Sequence, residues 1–91
     1  MPENTIHILF FGRLGELAEK YLNKNELTLP WQTGFVTAED LITAISSDHQ
    51  ELLDELGKNT NLVSINQAMS KLNAPVNAGD EVAFMSPLSG G

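Results

Sequence analysis

Apolar positions in the N-terminal third of the chain follow first a strand period and then a helical one. Thr5–Phe11 is β-branched, aromatic and almost wholly apolar, which predicts a strand covered on both faces or nearly so. That run stops at a glycine, and Leu14–Leu22 then places apolar residues at helical spacing, which predicts a short helix weakened by Gly15. Glu26–Trp31 alternates apolar and polar residues and predicts a strand, which Pro30 confines to an edge of its sheet.

The middle of the chain carries the clearest helix signal. Thr37 precedes Ala38-Glu39-Asp40, which predicts an N-cap followed by acidic residues in the first turn, where the helix dipole favours them. The apolar stripe behind this start continues to about Ser46 and predicts the main helix of the fold. Gln50–Leu56 predicts a further helical turn or two, ended by Gly57 as the glycine that follows a helix.

The C-terminal third predicts strands and then a tail. Asn61–Gln67 alternates apolar and polar residues and predicts a strand, and Ala68–Leu72 predicts a short edge strand. Asn77–Asp80 has turn composition and leads into Glu81–Met85, the last predicted strand. Ser86–Gly91 has no periodic pattern, so it predicts a loose, flexible tail.

These elements must share one core. The economical arrangement is an α+β fold, with a mixed sheet of four to five strands and the one main helix packed on one of its faces. The nearly continuous apolar run Thr5–Phe11 belongs in the middle of that sheet, and Glu81–Met85 is its expected neighbour. The first and last strands would then lie parallel at the centre, which is the ubiquitin-like β-grasp architecture.

Length and charge narrow the function. The chain has 91 residues and a mass of 9.9 kDa, so residues 1–91 are expected to form a single domain, with 86–91 as its tail. Twelve acidic residues against five Lys and Arg give a net charge of −7 at pH 7 and a pI near 4.5. The five cations are spread along the chain, which disfavours nucleic acid and anionic membranes as partners. An acidic domain suits a basic protein surface, although solubility alone can also explain the charge.

Residue types that carry chemistry are scarce. The chain has no cysteine, which excludes disulfides, thiolate metal sites and cysteine nucleophiles. His7 and His49 lie far apart in sequence, so no metal site is predicted, and His7 is expected to be a half-buried or edge histidine. The adjacent run Ser47-Asp48-His49 cannot assemble a catalytic triad. The N-terminus lacks the basic start of a signal peptide, and a cytoplasmic protein is expected.

The C-terminal run Ser89-Gly90-Gly91 is the remaining candidate for chemistry. Five or six extended residues span roughly 20 Å, enough to enter a pocket of another protein. Glycine lacks a Cβ, so its backbone can pass a narrow channel and approach a reacting centre. A carboxylate reacts as an acyl donor only after activation, most simply as an acyl adenylate made with ATP. The Gly91 carboxyl could then take up sulfur or an amine, without any catalytic side chain in this chain.

Three segments resemble the small, sulfur-carrying subunit family of molybdopterin synthase, which is of the MoaD type. GDEVAFMSPLSGG (Gly79–Gly91) resembles the family's C-terminal signature. ILFFGRLGELA (Ile8–Ala18) resembles its first strand and following short helix, and VSINQ (Val63–Gln67) resembles its third strand. The segments occur in the family's order and span almost the whole chain.

The resemblance implies both a function and its partners. Gly91 would be adenylated by an ATP-dependent activating enzyme, converted to a thiocarboxylate and used to donate sulfur to cyclic pyranopterin monophosphate in molybdenum cofactor biosynthesis. The large synthase subunit would receive the tail in a heterotetramer, and the chain itself would bind no cofactor or metal and would not be catalytic alone. The implied site residues are Pro87, Leu88, Ser89 and Gly90 in the tail, Gly91 at the reacting end, and Phe11, Met69 and Met85 at the partner interface.

Three positions depart from the family pattern. Ser86 stands where relatives often have the first of two prolines, which should loosen the tail slightly. Gly15 stands where many relatives have an arginine, so one polar contact of the family is in question. Met85, which directly precedes Ser86, stands where the family pattern has an aromatic residue. None of these changes touches the chemistry at Gly91.

Three other functions remain open from the sequence. A sulfur carrier for the thiazole of thiamine would share the two terminal glycines, as would a ubiquitin-like modifier that joins Gly91 to lysines. A plain interaction domain with an incidental Gly-Gly end would lose nothing when the tail is truncated. Core packing is the alternative role for each of Phe11, Met69 and Met85.

Overall fold

A computed structural model describes residues 4–58 and 60–86 of the chain. Within these residues, five strands and three helices are formed. In chain order they are β1 (Thr5–Phe11), α1 (Arg13–Leu22), β2 (Glu26–Pro30), α2 (Ala38–Ser46), α3 (Gln50–Leu56), β3 (Leu62–Ile65), β4 (Ala68–Ser70) and β5 (Glu81–Met85).

The strands form one mixed sheet in the order β2-β1-β5-β3-β4. Strands β1 and β5 are parallel at its centre, with His7 paired to Glu81 and Phe11 to Met85. The remaining neighbouring pairs are antiparallel. This is the β-grasp arrangement that the sequence predicts, and it brings the C-terminal end of the last strand beside the C-terminal end of the first.

All three helices contribute to one core on a single face of the sheet. The inward residues of the two central strands are fully buried, and the rings of Phe10 and Phe84 stack with their centroids 6.1 Å apart. Leu14, Leu41 and Leu52, one from each helix, have no exposed surface. The apolar faces predicted for the strands and for the helices therefore pack against each other in this core.

Helix α2 begins as the sequence predicts. Thr37 is its N-cap and forms a capping box with Asp40. The Asp40 carboxylate accepts hydrogen bonds from the backbone N–H groups of Thr37 and Val36, each at 2.9 Å, and these bonds hold the pKa of Asp40 below its ordinary value. The backbone carbonyls of Ala74 and Leu72 accept two further first-turn N–H groups. The segment before β5 thereby holds the start of α2.

Two glycines set helix α1 close to the central strand. Gly12 turns the chain at φ 67° and ψ −142°, a conformation that L-residues with a side chain rarely adopt. Gly15 is buried, and a Cβ there would lie 3.1 Å from the carbonyl oxygen of Phe10. Any side chain at this position would therefore require α1 or β1 to shift by a few tenths of an ångström.

Some predicted boundaries are wrong. The strand expected over Asn61–Gln67 ends earlier, because Asn66 and Gln67 take φ 53° and 69° and form the two-residue turn of the β3–β4 hairpin. The edge strand expected over Ala68–Leu72 is likewise shorter. Gly57 ends α3, but at φ −82° rather than in the left-handed conformation typical of that position.

Candidate docking surface and tail attachment

The face of the sheet opposite to the helices carries an apolar cluster. Phe11, Met85 and Leu62 are register partners across β1, β5 and β3, and so they form one row on this outer face. Met69 pairs with Ser64 one row away, at the diagonal distance that long side chains can span. We call Phe11, Leu62, Met69 and Met85 the outer-face patch. The sheet thus brings the three residues of the predicted partner interface onto one surface.

The patch is open to solvent. Phe11, Leu62 and Met69 are 49%, 52% and 63% exposed, whereas Met85 between them is half-buried. Adjacent large apolar side chains with this exposure are typical of surfaces that bind another protein. Methionine suits such a surface because its flexible thioether adapts to a partner. Core packing is therefore not the role of Phe11 or Met69.

Leu62 was not predicted as a site residue, although the sequence contained the signal. Val63 and Ile65 alternate with Leu62 and Ser64 along the strand, so the two pairs must face opposite sides of the sheet. Val63 is buried in the core, which places Leu62 on the outer face. Leu62 also lines an open groove of about 570 Å³ that runs past Glu39 and Lys71.

The other end of the outer face is polar. His7 lies there half-buried, as predicted, and its Nε2 atom is 3.5 Å from Glu26 Oε1. Glu81 is the register partner of His7 on β5. The outer face therefore changes from polar at the start of β1 to apolar at its end, and the apolar end is where the chain continues toward Gly91.

Ser86 follows β5 directly and is tied to the domain. Its hydroxyl oxygen accepts a hydrogen bond from the backbone N–H of Leu14 at 3.1 Å. The backbone N–H of Ser86 donates to the carbonyl oxygen of Phe11 at 3.4 Å. The expectation that the loose tail starts at Ser86 is wrong for this residue, because three elements meet there. The predicted tail and reaction residues, Pro87, Leu88, Ser89, Gly90 and Gly91, lie outside the described residues.

Most of the few positive charges are matched on the helical side. Lys20 Nζ lies 3.5 Å from Glu51 of α3, and Arg13 and Lys58 lie 3.8 and 3.0 Å from Glu55. The Tyr21 hydroxyl donates a hydrogen bond to the Glu51 carboxylate. This bond and the Lys20 charge lower the pKa of Glu51. The same contact and the partial burial of the phenol raise the pKa of Tyr21.

Residues 4–58 and 60–86 contain no group of three or more His, Cys, Asp or Glu side chains placed to hold a metal ion. None of the helices in these ranges has the length and apolar character needed to cross a membrane.

Comparison with known proteins gives a family for this arrangement. A model of the ThiS family matches residues 8–91, a range that includes the C-terminal glycines. The chain is 31% identical over 86 residues to the molybdopterin synthase sulfur carrier subunit of Haemophilus influenzae. That alignment covers 94% of this chain and 99% of the relative.

Solved structures show the same fold. SAMP1 from Haloferax volcanii superposes with a TM-score of 0.74 at 25% identity, covering 96% of this chain and 99% of that one. Urm1 from Trypanosoma brucei superposes with a TM-score of 0.68 at 22% identity, covering 98% and 97% of the two chains. At the latter identity the likeness shows the fold alone.

Proposed function

Because the chain belongs to the ThiS family, we propose that it is the sulfur-carrier subunit of a molybdopterin synthase, working in the cytoplasm as one domain with a reactive tail. The observation that carries the proposal is the nearly full-length similarity to the Haemophilus influenzae subunit, whose name states this function. The Gly-Gly end supports it, because the chemistry requires an unhindered terminal carboxylate.

The proposed chemistry takes place on the main chain at Gly91. The carboxylate attacks the α-phosphorus of ATP in an activating enzyme, releasing pyrophosphate and forming an acyl adenylate. A hydrosulfide-level sulfur donor displaces AMP and leaves a thiocarboxylate. The thiocarboxylate sulfur then forms a bond to cyclic pyranopterin monophosphate in the large synthase subunit. Water cleaves the bond between that sulfur and the Gly91 carbonyl carbon, which leaves the sulfur on the pterin and regenerates the Gly91 carboxylate. Both ATP and the pterin are bound by the partners.

The role of this chain is to dock and to deliver its end. The outer-face patch adjoins the end of β5, so a partner that covers the patch also receives the chain that continues from Ser86. Residues 87–91 span at most about 17 Å when extended, which limits how far the reacting centre can lie from Ser86. The net charge of −7 suits a partner with a basic surface. We propose a heterotetramer with two copies of each subunit.

Reconstitution tests this function directly. The purified chain is incubated with the activating enzyme and the large subunit of the same organism, ATP, sulfide and cyclic pyranopterin monophosphate. Intact-mass measurement should show a species heavier by about 16 Da, the exchange of one oxygen for sulfur, and molybdopterin should form. Deleting Gly91 should abolish both products and leave the circular dichroism spectrum unchanged. Full molybdopterin formation by the deleted chain would refute the proposal.

Protein modification is the second candidate, because SAMP1, the small archaeal modifier protein 1 of Haloferax volcanii, is 25% identical over nearly the whole chain. In that case the adenylated Gly91 would form an isopeptide bond with lysine side chains of other proteins. ATP-dependent conjugates on a blot, without a thiocarboxylate species, would favour it. A thiazole requirement after gene deletion would instead identify a carrier for thiamine.

A further inference from the structure

The N-terminus of α1 receives its cap from the other end of the chain. The first N–H groups of a helix have no partner within it and are usually satisfied by the side chain of the N-cap residue. Gly12 is the N-cap of α1 and has no side chain to offer. The hydroxyl oxygen of Ser86 accepts the Leu14 N–H instead, across 72 positions of sequence.

The same residue is also attached to β1. The Ser86 N–H donates to the Phe11 carbonyl oxygen at 3.4 Å, and the Ser86 hydroxyl lies 3.5 Å from that oxygen. One residue therefore touches the end of the central strand and the first turn of the following helix. Its backbone N–H and its side-chain hydroxyl therefore both have partners, in β1 and in α1.

We propose that Ser86 is a positioning residue for the tail, and that its hydroxyl holds the end of β5 at the point from which residues 87–91 continue. The consequence for delivery of Gly91 rests on the proposed function. Since Met85 belongs to the outer-face patch, a fixed Ser86 also sets the start of the tail relative to the docked partner. A proline at this position could make neither contact, because it has no hydroxyl and no N–H.

Loss of the hydroxyl should free the start of the tail. Ser86→Ala leaves the Leu14 N–H without its acceptor and retains only the longer backbone contact to Phe11. The start of the tail must then be ordered when the partner binds. Fixing the backbone of a single residue costs enough conformational entropy to weaken the binding constant roughly five-fold or more. Ser86→Thr keeps a hydroxyl and should behave as the parent chain.

A spin label measures the direction of the tail without any partner. The chain has no cysteine, so Ser89→Cys supplies a single attachment site for a nitroxide. In the parent and in Ser86→Thr, paramagnetic broadening should concentrate on one set of backbone amides. In Ser86→Ala it should weaken there and spread to others, and the Leu14 amide should exchange with solvent about ten-fold faster. Thr37→Ala, which removes a cap of α2, is the matched control for lost stability and should leave the broadening pattern unchanged.

Two outcomes overturn the positioning role: an unchanged broadening pattern in Ser86→Ala, or the same redistribution in Thr37→Ala.

The affinity for the large synthase subunit is then measured for each variant without the spin label. Ser86→Ala should bind about five-fold or more weakly, and Ser86→Thr and Thr37→Ala should bind as the parent does. Equal binding by Ser86→Ala refutes the consequence for delivery. Failure of the parent chain to bind at all refutes the proposed function, while the spin-label result still decides the role of Ser86.

Discussion

Phe11 and Met85 are direct neighbours across the parallel β1–β5 pair, and both belong to the outer-face patch. Replacing Phe11 or Met69 by serine removes apolar surface that is exposed in the free domain. Each substitution should therefore weaken binding to the proposed partner, the large synthase subunit, by about 1–2 kcal/mol, roughly five- to thirty-fold in Kd. The melting temperature should hardly change. Isothermal titration calorimetry and thermal melts provide the two measurements.

Val36→Ser is the matched control for those variants. Val36 is 61% exposed but precedes α2, away from the outer face, so its replacement should leave the Kd unchanged. Equal affinity of the Phe11, Met69 and Val36 variants would show that the outer-face patch is not the docking surface.

Gly15→Ala should not stabilise the domain, although alanine is favoured over glycine within a helix by about 1 kcal/mol. The added Cβ would press against the Phe10 carbonyl in the middle of the sheet. Gly34→Ala makes the same chemical change where no atom lies within 4 Å, and it should be neutral or slightly stabilising. Urea unfolding compares the two. A clear gain in stability from Gly15→Ala would show that α1 can move away from β1 at little cost.

Gln67→Gly should stabilise the protein by up to about 1 kcal/mol, a rise of at most roughly 4–8 °C in melting temperature. Gln67 has φ 69°, a conformation that costs a residue with a Cβ more than it costs glycine. Asn66→Gly is the contrasting variant, because it would remove side-chain hydrogen bonds to Asp80 and Glu81. It should destabilise the domain. A lower melting point for Gln67→Gly would contradict the strained-turn interpretation.

The free energy of unfolding should fall in acid, because two carboxylates that stabilise the folded state become protonated. The pKa values of Asp40 and Glu51 are both lowered in the folded state, so the folded protein favours their charged forms. Their contribution is present above the ordinary pKa of about 4 and is lost as the pH falls through the lower folded values. Thermal melts between pH 6 and about pH 2 should show this loss. Asp40→Asn should flatten the acid limb, and an unchanged limb would contradict the assignment.

The dependence of the melting temperature on pH in alkaline solution tests Tyr21 separately. Its pKa is raised because the protonated phenol donates to Glu51. This contribution is present below the ordinary tyrosine pKa of about 10 and is lost as the pH rises through the folded value. Tyr21→Phe should therefore reduce the difference in melting temperature between neutral and alkaline solution, with Phe11→Ser as an unrelated control that preserves it.

The sequence predicted those parts of the fold that depend on local pattern. The continuous apolar run of Thr5–Phe11 placed β1 at the centre, and Thr37 with Asp40 located the start of α2, because each feature acts within a few residues. The Asn66-Gln67 turn was missed because it contains no glycine, and only the strand pairing forces Gln67 into its conformation.

The residues of the candidate site are far apart in sequence, so local patterns alone could not show that they lie together. Phe11, Met69 and Met85 came from a family resemblance, and the sheet register brings them to one face. The alternation of Leu62 with Val63 indicates the face on which Leu62 lies, but only the pairing with Met85 shows that it adjoins the other three residues. The contact between Ser86 and Leu14 joins opposite ends of the chain, so it appears only once β1 and β5 are adjacent.

The parallel pairing of the first and last strands also has a mechanical consequence. The chain enters β1 at Thr5 and leaves β5 at Met85, at opposite ends of the central pair. Tension between the two termini therefore loads all the hydrogen bonds of that pair in shear, whereas tension across the β3–β4 hairpin would separate its bonds one after another. Force spectroscopy should therefore record a higher rupture force when the domain is pulled through its two termini than when it is pulled across the hairpin.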